Sequence, residues 1–179
     1  MTSTTLKKQK FSVLFDWFNQ GKDGHLKQDD LQEMAGRFAG LAKDDHASAT
    51  AVRNSFEAWW QLLLEHGDGD GDGRISRDEF IAVMGTDVVE GAIFTMADAL
   101  MQALDTDGDG TLSRTEYVSM YDGLGIAREH SEAAFERLDR DGNGVISSDE
   151  WRLALREFYL STDPEAPGNW LLGPVAPAV

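Results

Sequence analysis

Asp68, Asp70 and Asp72 alternate with glycine and are followed at a fixed distance by Glu79. Two later stretches repeat the layout: Asp105, Asp107 and Asp109 with Glu116, and Asp139, Asp141 and Asn143 with Glu150. Written as twelve-residue loops (68–79, 105–116 and 139–150), the three superpose without gaps. Short carboxylate or amide side chains at positions 1, 3 and 5 of a tightly curled loop converge on one centre. Glutamate at position 12 is long enough to reach back and close the cage with both oxygens. Position 7 would add a backbone carbonyl, from Arg74, Thr111 or Val145. Position 9 is Ser76, Ser113 or Ser147, which suits a bridging water. Position 6 is glycine each time (Gly73, Gly110, Gly144), where the sharp turn needs a positive φ. Together these form an oxygen-only cage of about seven ligands, the preference of a hard cation such as Ca2+. About three ions are expected per chain, with Mg2+ as a competitor for the same loops.

Charge supports this reading. The three loops hold 13 acids against four arginines, a net −9 out of the chain's −16. Carboxylates crowded within a few ångströms repel strongly without a cation. Acidic, glycine-rich loops can be plain solvated turns, but three complete copies of one twelve-residue pattern argue for ion capture. A fourth copy, 19–30, is degenerate. Asn19 stands at position 1, Gly21 offers no side-chain ligand at position 3, Lys27 puts an ammonium at position 9, and Asp30 is a carbon shorter than glutamate at position 12. It reads as a vestigial loop kept as the structural partner of 68–79.

The elements that must hold these loops are helices. All four prolines lie in the last 16 of 179 residues, and glycine clusters inside the loops. Apolar residues recur at three- and four-residue steps in Phe11, Leu14, Phe15, Phe18 and again in Ile93, Met96, Leu100, Met101, Leu104. Strand patterns are confined to short pieces inside the loops, so the fold class is all-α. Position 8 carries Leu26, Ile75, Leu112 and Ile146, which predicts short antiparallel bridges pairing the first loop with the second and the third with the fourth. Start-to-start spacings of 49, 37 and 34 residues leave room for a helix on each side of every loop, with extended helices near residues 30–66.

Composition excludes several functions. With 16 basic and 32 acidic residues, a nucleic-acid backbone or an anionic membrane surface would be repelled. The absence of cysteine removes disulfide scaffolds, thiolate metal sites and cysteine nucleophiles. His25, His46, His66 and His130 share no metal-ligand spacing, and no apolar run approaches the roughly 18 residues that span a bilayer. The N-terminal MTSTTLKKQKFSVLFDWF reads as a helix rather than a cleaved leader. The expectation is a cytoplasmic monomer. No nucleophile–base pair stands out, so no enzyme is expected.

Over residues 68–79, 105–116 and 139–150 the chain resembles the EF-hand proteins. Within them it resembles the sarcoplasmic calcium-binding proteins and their bacterial relative calerythrin, through the long first spacing and the ending STDPEAPGNWLLG. That ending is also similar to the tails of calcium-triggered photoproteins. The resemblance implies two EF-hand pairs, 1–85 and 86–160, sharing one core. In the tail, 161–179, Trp170, Leu171 and Leu172 could form a loose end or lie over that core, and an apolar triplet flanked by glycine and proline argues for docking. It implies a Ca2+ buffer or transporter more than a target-grasping sensor. Met84, Met96, Met101 and Met120 could line a sensor's groove or simply fill the core. Trp17, Trp59, Trp60, Trp151, Phe158 and Tyr159 could line a photoprotein-like cavity or belong to the core, and no histidine falls in the last helix, 148–160.

Overall fold

Each intact loop hands over to its exiting helix through a serine and a glutamate three residues apart. Ser76 caps the helix Arg77–Met84 by accepting the Glu79 N–H, while the Glu79 carboxylate takes the Ser76 N–H in return. Ser147 and Glu150 do the same for Ser148–Leu160. Ser113 and Glu116 repeat the exchange for Arg114–Gly123. This reciprocal cap satisfies N–H groups that a helix start leaves open. The residues at loop positions 9 and 12 therefore start a helix as well as facing the loop.

The structure is a computed structural model that describes residues 3–19, 21–42, 44–123 and 127–171. Among the described residues the helices are α1 (Ser3–Phe18), α2 (Gln28–Leu41), α3 (His46–Gly67), α4 (Arg77–Met84), α5 (Glu90–Leu104), α6 (Arg114–Gly123), α7 (Arg128–Leu138) and α8 (Ser148–Leu160). The strands are β1 (His25–Leu26), β2 (Ile75–Ser76), β3 (Thr111–Ser113) and β4 (Val145–Ser147). Strand β1 pairs antiparallel with β2, setting Leu26 opposite Ile75. Strand β3 pairs with β4, setting Leu112 opposite Ile146. These are the bridges expected at position 8, and all four residues are fully buried.

The two pairs share one core. Helix α3 packs along α5, α2 touches both α5 and α6, and α1 reaches α8. Rings carry much of this packing. Phe15 of α1 meets Phe80 of α4 edge-on at 5.7 Å, and Phe11 stacks on Tyr159 of α8 at 6.3 Å. Across the second pair, the Trp151 indole donates to the Ala97 carbonyl at 3.0 Å. Met84, Met101 and Met120 are buried, and Met96 packs against the core from its edge. Trp59, Trp60, Trp151 and Phe158 are buried, with Trp17 and Tyr159 packed against them.

After α8 the chain turns back over α7 and α8. A single 3-10 turn, Pro167–Trp170, brings Leu171 into the core. Leu172 and the residues beyond it lie outside the described residues. Among the described residues no single helix is long and apolar enough to cross a membrane; α4 and Asp87–Leu104 pass that test only as a pair bent by 82°.

Candidate metal centres

The carboxylate at position 1 organises each loop from within. Asp68 accepts N–H bonds from Gly71 (2.8 Å), Asp72 (3.1 Å) and Gly73 (3.0 Å). Asp105 takes those of Gly108, Asp109 and Gly110 at 2.8–3.0 Å. Asp139 takes those of Asn143 (3.0 Å) and Gly144 (2.9 Å). Position 3 accepts from position 5, through Asp70, Asp107 and Asp141 at 3.1, 3.2 and 3.1 Å. Position 5 accepts from position 7, through Asp72 to Arg74 and Asp109 to Thr111, both 2.8 Å, and Asn143 to Val145, 2.9 Å. These nested turns curl the chain so that alternate side chains face inward.

The closing glutamates are pinned from two sides. Glu79 takes the Gly69 N–H at 2.9 Å, Glu116 that of Thr106 at 2.7 Å and Glu150 that of Arg140 at 2.8 Å. The second oxygen of each takes the hydroxyl of the capping serine at 2.7–2.8 Å. The Ser76 hydroxyl and amide hold the Glu79 carboxyl below the usual range. Burial pushes Glu116 up, but the Ser113 amide and the Thr106 and Ser113 hydroxyls outweigh it and leave it lowered. Glu150 is lowered the same way, with burial outweighed by Ser147 and the Arg140 amide.

Among the described residues, ligand oxygens gather within 4.8 Å of one another in three groups: Asp68, Asp70, Asp72; Asp105, Asp107, Glu116; and Asp139, Asp141, Glu150. The donor set is all oxygen and strongly anionic, which fits Ca2+ or Mg2+ and no softer metal. The Glu79 carboxylate faces Gly69 and Ser76, as Glu116 faces Thr106 and Ser113 and Glu150 faces Arg140 and Ser147. Asp109 is engaged by the Thr111 hydroxyl at 2.7 Å. Asn143 donates to Asp141 at 3.0 Å. The Arg74 guanidinium folds onto Asp72 at 2.6 Å and lowers that carboxyl's pKa.

Loop 19–30 has the same backbone with different chemistry. Gly24 at position 6 has φ 85°, as the glycines of the other loops do, and Asp30 accepts the N–H groups of Gly21 and Lys27 at 3.0 Å each. However, the Lys27 ammonium is paired with Asp23, so the loop carries its own cation. Among the described residues the buried Asn19 Oδ1 accepts no hydrogen bond, unlike the aspartates at position 1 elsewhere. Lys22 at position 4 is held at φ 51°, where the intact loops have Gly71, Gly108 and Gly142 at 71–75°. The recurring glycine at position 4 is the visible signal in the sequence of this backbone requirement. The position-2 amides that pin the closing glutamates have no side-chain signature at all.

A family model described as an EF-hand domain matches residues 132–161, and one described as an EF hand matches 65–84 and 96–121. Parvalbumin beta of Boa constrictor is 29% identical over 77 residues, covering 43% of this chain and 62% of that protein, so the match spans less than two thirds of the relative's length. A Streptomyces coelicolor calcium-binding protein, solved in a study of prokaryotic calcium-mediated regulation, is 25% identical with a TM-score of 0.71, over 88% of this chain and 99% of that one. The sarcoplasmic calcium-binding protein of amphioxus shares the fold at TM-score 0.72 and 19% identity, over 93% and 96% of the two chains. Calcium-loaded apo-aequorin of Aequorea victoria shares it at 0.70 and 18%, over 87% and 91%.

Proposed function

We propose that this chain, an EF-hand calcium-binding protein, serves as an intracellular Ca2+ buffer with three working sites and no catalytic activity. Asp68, Asp70, Asp72, the Arg74 carbonyl and Glu79 would hold the first ion. Asp105, Asp107, Asp109, the Thr111 carbonyl and Glu116 would hold the second. Asp139, Asp141, Asn143, the Val145 carbonyl and Glu150 would hold the third. The two pairs, 1–85 and 86–160, work as one cytoplasmic monomer. Loop 19–30 serves as the structural partner of 68–79, because the Lys27 ammonium paired with Asp23 supplies a cation from within the loop.

One observation carries the choice of buffer over sensor. The three loops already hold their oxygens in converged groups while the apolar faces of both pairs remain buried against each other. A sensor in that loop state should instead present a groove of methionines to a partner helix. Here Met84, Met101 and Met120 are buried, and among the described residues the exposed large apolar side chains are Val88, Leu153 and Leu160. A photoprotein-like role is disfavoured by space. The central cavity, lined by Trp17, Trp59, Met120 and Tyr121 among others, measures about 60 Å³. A cavity of roughly 150 Å³ holds a molecule the size of benzene.

The test is dye binding. In a buffer the Ca2+-free form is the looser one, so ANS fluorescence should fall when Ca2+ is added. A large rise would show an apolar face opening and make the chain a sensor.

A further inference from the structure

We infer that Ca2+ in the 139–150 loop locks the C-terminal segment 161–171 onto the core, through Arg140 and Glu157. The inference rests on the reading that this loop holds an ion. Arg140 is position 2 of the loop, and its amide pins the closing Glu150 at 2.8 Å. Its guanidinium reaches out of the loop to a Glu157 carboxylate oxygen at 2.6 Å. That same oxygen accepts the Gly168 N–H at 2.8 Å. The closing ligand and the tail are therefore joined through two side chains.

The tail grips both helices that flank this loop. Trp170 lies under the Arg137 guanidinium of α7, 4.0 Å from ring centroid to carbon. Gly168 presses on α8 so closely that a Cβ there would stand 2.2 Å from the Ala154 carbonyl oxygen. Leu171, beyond them, forms part of the wall of the central cavity. Any change in the angle between α7 and α8 must strain one of these attachments.

Electrostatics sets the direction. Without an ion, Asp139, Asp141 and Glu150 repel one another at close range, and Arg140, between the two aspartates in the chain, is the one cation of the loop that can move toward them. It is drawn inward and Glu157 loses its partner. With an ion bound, the loop charge is met, and Arg140 is free to hold Glu157 and, through it, Gly168. Linkage then requires the converse: a tail that cannot dock must weaken Ca2+ at this loop by the same factor.

The experiment is hydrogen exchange of the amides in 166–171 on the full chain, with Ca2+ and with chelator, beside a calorimetric Ca2+ titration. Wild type should exchange at least about tenfold faster in this segment without Ca2+. Glu157→Met, which removes no loop ligand, should exchange fast even with Ca2+. It should still bind three ions, one of them weakened about fivefold or more. Gly168→Ala, which leaves the loop and Glu157 intact, should behave the same way if the first variant folds poorly. Slow tail exchange in both variants with Ca2+ present, or a wild-type tail indifferent to Ca2+, overturns the inference. Glu150→Gln separates the two layers. If it leaves the ion count at three, the site reading fails and the inference falls with it. If the count drops by one while the tail stays protected, the lock alone is wrong.

Discussion

The ammonium of Lys10 lies 3.1 Å from the main-chain carbonyl oxygen of Glu157 and 3.0 Å from that of Ser161. A fully buried lysine on the first helix thus fills the carboxyl end of the last. Burial pushes its pKa down from 10.5 to about 8, with Lys7 acting in the same direction and Glu157 and Asp163 against it. Between pH 8 and 10.5 the unfolded chain then holds more protons than the folded one, so this group's contribution to stability rises with pH across that window. Below pH 8 both states are protonated and the contribution is flat. Thermal midpoints of wild type and Lys10→Met in saturating Ca2+ should diverge in favour of wild type as pH rises from 8 to 10. A difference that stays constant would contradict the assignment.

Glu116 is expected to be indispensable to the second ion. In Glu116→Gln the amide keeps its size but loses the charge and the paired oxygens that close the cage. Calorimetry should count two strong sites instead of three, the lost site weakened by about 100-fold or more, since even groups outside the ligand shell cost 10–100-fold. Three undiminished sites in the variant would remove Glu116 from the ligand set.

Loop 19–30 already has the bend and the bridge and lacks mainly donors. Gly21→Asp, Lys27→Ser and Asp30→Glu together supply a ligand at position 3, remove the internal ammonium and lengthen the closing arm. The ion count should rise by one, read by native mass spectrometry in Ca2+. No increase would mean that Lys22, held at positive φ, or Asn19 limits the loop instead.

The hydroxyls of Tyr117 and Tyr121 face each other at 2.9 Å with no solvent access. Removing one leaves the other unsatisfied, so Tyr117→Phe should cost about 1–3 kcal/mol in denaturant unfolding. The double change to phenylalanine removes both polar atoms and should cost markedly less than the two single changes summed. Additive losses would show that each hydroxyl has a separate role.

The helical class, the loop spans and the pairing of loops were legible because each depends on a short pattern. Leu26, Ile75, Leu112 and Ile146 announce their bridges by position alone, and the serine–glutamate spacing announces both cage and cap. Contacts made at long range were not legible. Nothing local marks Lys10 as the residue that fills the end of α8, 147 positions away. Arg140 reads as one more surface arginine until the fold brings Glu157 and Gly168 beside it. The position-2 amides that pin Glu79, Glu116 and Glu150 were not legible either, because a backbone N–H leaves no mark in the sequence.

The most direct test is a crystal structure grown in millimolar Ca2+, with anomalous scattering used to locate the ion. Three calcium peaks are expected, each ringed by the oxygens of 68–79, 105–116 or 139–150, and none at 19–30. Water alone at those three centres would contradict the account.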